Sequence, residues 1–225
     1  LGGDFRGFWS PEFGGGCYII PNSYIIDVFK KIRFVKEHRD SYILGPDRIP
    51  VSIEDLIWVV SDMYDLKIEV LKVSAKAQSL RGVLLRYEEK PSQILVRADL
   101  DEFRKRFVIV KELAHLIIDQ KEDWSPDGVK IIDDLFKLFE LENGGANAEE
   151  HSIRVVSEQV AEIVATELLY PAEFRNGNEQ DLISGKTSFA KLEIQYAIPA
   201  SVINRAHGAS YKQICAVGNS LPDVA

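Results

Sequence analysis

The residues with the clearest chemical potential stand together at Lys111-Glu112-Leu113-Ala114-His115. Helices that hold a catalytic zinc ion carry His-Glu-x-x-His. Side chains at i and i+4 share a helical face, so both imidazoles reach one metal, and the glutamate beside the first can take a proton from bound water. Here Glu112 has the spacing of that base and His115 the spacing of the second ligand, but Lys111 stands at the first ligand position. An ammonium has no lone pair to donate, and one held ~4 Å from Zn²⁺ would repel it by roughly 8 kcal/mol at an effective dielectric of about 20. Two readings follow. In one, the lysine cation takes the metal's place and pairs with a carboxylate such as Glu112 or Glu158; in the other, Lys111 snorkels to solvent and His115 is a core histidine with its hydrogen bonds met. His38, His151 and His207 lie outside the motif and are read as surface or packing residues.

Further blocks flank the motif in order. Leu80-Arg-Gly-Val-Leu84 has the form L-x-G-x-L, and Arg106 to Leu116 reads R-F-x-x-x-x-E-L-x-H-L. Val160-Ala161-Glu162 through Leu168-Leu169-Tyr170-Pro171 follows, and then Phe189 to Arg205. Over about residues 50–208 this succession resembles the ImmA/IrrE zinc metallopeptidases. The resemblance implies an α+β, zincin-like fold with a small, mainly antiparallel sheet packed on helices and a C-terminal helical pair. It also implies zinc held by two motif histidines and a glutamate of a later helix, with the motif glutamate activating water against a peptide bond.

Carried over residue by residue, Glu112 matches the catalytic base and His115 a metal ligand, while Lys111 and Val160 occupy altered ligand positions. A shift of two residues offers Glu158 or Glu162 in place of Val160. At ~100° per residue, Glu158 lies closer to the Ala161/Ala165/Leu168 face and is the preferred substitute, with Glu162 the alternative. Catalysis is therefore expected to be lost or impaired. Without zinc a water keeps a pKa near ~15.7 instead of ~7, and Glu112 alone is a poor base for amide hydrolysis. No cofactor is expected, zinc being the cofactor only if a rearranged site holds it.

Definite elements must position these residues. Ile26, Phe29, Ile32 and Val35 recur at helical spacing over 23–38, and Ser52-Ile-Glu-Asp55 opens a second helix reaching about Asp65. The period then falls to two over 67–73, 80–87 and 94–97, which reads as three strands, with a turn at 88–92. Residues 99–118 form the central helix that carries the motif, and 149–170 another helix ended by Pro171. A surface helix is expected over 129–142, and helix, turn and helix over 186–207. Three parts result: a glycine-rich segment 1–22 whose SPEFGGG run has the composition of an expression-vector linker, a metallopeptidase-like domain 23–170, and a C-terminal helical subdomain and tail 171–225.

Bulk properties narrow the function classes. A net charge of -8 opposes nucleic-acid binding, which needs Lys and Arg to displace counterions from phosphates. The segment 186–207 adds only Lys186, Lys191 and Arg205 to a DNA-binding reading. Cys17 and Cys215 form no metal-type or disulfide spacing and are read as free thiols. No apolar run reaches the ~18 residues of a membrane span, so a cytoplasmic protein is expected. By resemblance its partner is a protein, such as a helix-turn-helix repressor, bound in a groove between the central helix and the sheet edge. Three functions stand side by side: a pseudopeptidase, a zinc endopeptidase with a rearranged site, and a DNA-binding regulator.

Overall fold

The computed structural model describes residues 5–6, 19–42, 48–74, 81–87, 90–119 and 148–220. The helix expected over 129–142 lies outside this set. A short antiparallel pair, β1 (Phe5–Arg6) with β2 (Ile19–Ile20), precedes α1 (Asn22–Tyr42) and α2 (Ile53–Tyr64). Then come β3 (Ile68–Val73), β4 (Gly82–Leu85), β5 (Ser92–Arg97) and the central helix α3 (Glu102–Ile118). After α4 (Ala148–Leu169) the chain continues through α5 (Ala172–Ile183), α6 (Phe189–Tyr196), α7 (Ala200–Ala206) and α8 (Ala209–Gly218).

Local chemistry sets the helix ends. Ser52 Oγ accepts the Asp55 N–H at 3.0 Å and starts α2, while Asp65 closes it in the left-handed region at φ 51°. Asp101 caps α3 by accepting the Arg104 N–H at 2.9 Å. At the far end of α4, Pro171 cannot continue the helix and instead opens α5, its carbonyl accepting from Phe174 and Arg175.

The sheet is mixed, where the sequence leads one to expect a mainly antiparallel one. Its order is β3-β5-β4, with β3 parallel to β5 and β4 antiparallel to it. β4 and β5 are antiparallel neighbours, but β5 inserts beside β3 instead of leaving β4 in the middle. The reason lies in burial: β5 turns Ser92, Ile94 and Val96 inward, whereas β3 buries no residue fully and suits an edge. One α+β core results. It draws Ile25, Phe29 and Ile32 from α1, Leu56 and Val60 from α2, Ile94 from β5, and Val110, Leu113 and Ile117 from α3. Val160, Val164 and Leu168 of α4 complete it together with Leu192, Ile203 and Ile214. The C-terminal part is thus four helices packed on this same core, beyond the expected pair at α6 and α7. Leu113 is fully buried at its centre, where truncation to alanine costs about 2–5 kcal/mol.

Among the described residues, no helix is long and apolar enough to cross a membrane.

Candidate functional site

Two helices and one strand frame the cluster: α3 contributes Lys111, Glu112 and His115, α4 contributes Ser157 and Glu158, and β4 lies against α3. Gly82 allows this approach. A Cβ there would sit 2.3 Å from Val108 Cγ1 and 3.2 Å from Glu112 Oε1. Arg106 fixes the helix from its other side, donating from Nε to Ala197 O at 3.0 Å and from Nη2 to Val51 O at 2.6 Å. The arginine of the recognisable motif is thus a clamp that ties α3 to the segments before α2 and between α6 and α7.

Lys111 Nζ donates to Glu158 Oε2 at 2.5 Å and stands 3.4 Å from Glu112 Oε1. Glu112 is 4% exposed, and among the described residues its Oε1 accepts no hydrogen bond. His115 Nε2 lies 3.3 Å from the other Glu158 oxygen, and its Nδ1 lies 3.3 Å from Asp119 Oδ2 and 3.4 Å from Ser157 Oγ. Arg86 closes the network by donating to Asp119 Oδ2 and, at 3.1 Å, to the His115 carbonyl.

The charges settle accordingly. Burial pulls the Lys111 ammonium down, but Glu112 and Glu158 outweigh it and hold its pKa above the ordinary lysine value. Burial likewise disfavours a charged His115, yet Asp119, Glu158 and Glu112 raise it to about 9. Burial would raise Glu158, but His115 and Lys111 hold it well below the usual carboxylate range. At neutral pH the imidazole is therefore a cation with a proton on each nitrogen.

Such a donor set does not fit zinc. A tetrahedral site needs lone pairs on nitrogen, oxygen or sulfur at about 2.0–2.3 Å. Lys111 offers none, and its ammonium already binds Glu158. Among the described residues, no group of three His, Cys, Asp or Glu side chains could hold a metal ion.

The three positions considered on α4 separate clearly. Glu158 faces the cluster, Val160 is fully buried in the core, and Glu162 pairs with Arg205 at 2.8 Å while still adding to the positive shift of Lys111. Asp119, Arg86 and Ser157 are additional members that motif reading misses. Asp119 had a signal, being four residues beyond His115 on the same helical face; Arg86 had none, because only the fold brings it there. Elsewhere, His38 Nε2 meets Asp62 at 2.8 Å and His207 Nε2 meets the Tyr170 hydroxyl at 3.0 Å.

A peptidase family model described as the IrrE N-terminal-like domain matches residues 64–215. The chain belongs to the ImmA/IrrE family. It has that family's α+β, zincin-like metallopeptidase fold. No curated protein matches this ImmA/IrrE chain significantly.

Proposed function

We propose that this ImmA/IrrE-family protein is a pseudopeptidase: it binds a protein partner and does not cut it. The observation that carries this reading is the Lys111 ammonium 2.5 Å from Glu158 and 3.4 Å from Glu112. A cation already neutralises the carboxylates that a metal would need, so no Lewis acid is held to lower the pKa of a water. The partner class that the family resemblance supports is a helix-turn-helix repressor.

Direct DNA binding through 186–207 is less well supported. Arg205 is engaged with Glu162 at 2.8 Å and Lys186 with Asp181 at 3.4 Å, which leaves little charge for phosphates.

Metal analysis of protein purified without chelator, followed by incubation with a helix-turn-helix repressor, tests the proposal. Far less than one zinc per chain and an intact repressor are expected. Stoichiometric zinc that a chelator removes together with proteolysis would overturn it in favour of a zinc endopeptidase with a rearranged site.

A further inference from the structure

Away from this cluster, α1 and α2 lie antiparallel and expose two matching stripes. On α1, Phe34, His38 and Tyr42 follow one another at intervals of four residues; on α2, Glu54, Trp58 and Asp62 do the same. Side chains at this spacing share one helical face. Two contacts fix the register: His38 Nε2 is 2.8 Å from Asp62 Oδ2, and the Tyr42 and Trp58 rings meet edge-on with centroids 5.6 Å apart. Phe34, Tyr42 and Trp58 remain 59%, 63% and 46% exposed. Single exposed apolar residues need no explanation, but an exposed tryptophan set between carboxylates one turn away on each side is a patterned surface.

Charge selects the occupant. From Ile53 to Asp65 the chain carries Glu54, Asp55, Asp62 and Asp65 and no Lys or Arg. Of the basic residues of α1, Lys31 pairs with Asp27, Lys36 with Glu173, Arg33 with Asn219 and the buried Arg39 with Asp40. Lys30, one turn before Phe34, marks where the stripe ends. Tyr42 also stands at the C-terminal end of a 21-residue helix, where the helix dipole is negative. Aromatic faces with carboxylates beside them attract guanidinium and ammonium groups and repel phosphates, so neither nucleic acid nor an anionic lipid surface fits.

We propose that these paired stripes dock a cationic helical segment of a protein partner, with Arg or Lys side chains placed over Trp58 and Tyr42 and between Glu54 and Asp62. Residues one turn apart on the ligand rise by ~6 Å, which matches the step from Glu54 to Trp58 to Asp62. The surface shares no residue with the Lys111 network, so it stands or falls independently of the pseudopeptidase reading.

Fluorescence anisotropy of the full chain with an alanine-based helical peptide carrying arginine at i, i+4 and i+8 tests this, with a glutamine version of the peptide as control. The arginine peptide is expected to bind, added salt to weaken it, and the glutamine peptide not to bind. Trp58→Ala and the double variant Glu54→Gln/Asp62→Asn should each weaken binding by about tenfold or more, with unchanged circular dichroism. Should Trp58→Ala fail to fold, the double variant decides alone. Equal binding of the glutamine peptide, full affinity in the variants, or no binding at all would overturn the proposal. Self-association of the chain that Trp58→Ala abolishes would overturn it too, by identifying the occupant as a second copy.

Discussion

Lys111→Ala is the perturbation that reads the candidate site most directly. It removes the cation 2.5 Å from Glu158 and 3.4 Å from Glu112. The two carboxylates differ in environment: the Glu112 side chain is 6% exposed and that of Glu158 is 45% exposed. Water screens Glu158 when its partner goes, so its share is at most about 1 kcal/mol. Glu112 has no such relief, and stripping the partner from a buried charge costs about 3–5 kcal/mol. The His115 cation stays nearby and offsets part of that, which leaves an expected loss of about 2–4 kcal/mol, mostly from Glu112. Urea unfolding followed by circular dichroism near neutral pH measures it. Lys111→Ala/Glu112→Gln should recover most of the loss, because the double variant leaves no unpaired buried carboxylate. A loss below about 0.5 kcal/mol, or a double variant no more stable than the single one, would refute the reasoning and make Lys111 a surface lysine.

Three further outcomes follow from the same geometry. Lys111→His restores the His-Glu-x-x-His spacing and should bind zinc through both histidines and Glu158; zinc at about a hundredfold its Kd should then stabilise the variant by about 2.7 kcal/mol, and zinc-insensitive melting would count against a converted metal centre. His115 is raised from about 6.5 in the unfolded chain to about 9, so its contribution is full below the lower value and is lost as pH rises through the higher. Urea unfolding at a series of pH values should show stability falling across that window, and His115→Gln should flatten the fall. Gly82→Ala places a Cβ 2.3 Å from Val108 Cγ1, which should cost about 1–3 kcal/mol by urea unfolding; an unchanged midpoint would mean that β4 and α3 can part freely.

Much of the fold is legible in the sequence because its helices are amphipathic and capped. The recurrence of Ile26, Phe29, Ile32 and Val35, the Ser52 start and the Pro171 stop are local signals from which α1, α2 and α4 follow, although the structure buries Ile25 instead of Ile26. What stays hidden is non-local. The alternation in β5 marks a strand but says nothing of which neighbours flank it, so its insertion beside β3 is not readable. Helix α5 has no apolar stripe, and its single fully buried residue is Arg175. That side chain holds the helix by donating to Tyr170 O at 2.6 Å and pairing with Glu167 at 2.7 Å, contacts that no hydrophobic pattern announces. The candidate site divides the same way. Lys111, Glu112 and His115 are legible from helical spacing, and Glu158 from a phase argument on α4, whereas Arg86 reaches His115 from the end of a strand.

The charge balance explains how a peptidase-fold core can persist with a lysine in this place. Carboxylates gathered under low exposure repel one another, and a divalent metal supplies two positive charges that hold such groups together. In this chain the Lys111 ammonium and the doubly protonated His115 supply the same two charges to Glu112 and Glu158, while Arg86 answers Asp119. The second of those charges depends on the first. With a zinc ion bound, His115 would have to surrender a proton to become a ligand; with lysine present it keeps that proton and remains a cation, because the carboxylates now favour its charged form. A lysine at the first position therefore governs the chemistry of the histidine one turn on, and the two side chains form with Glu112 and Glu158 a self-neutralising ion network.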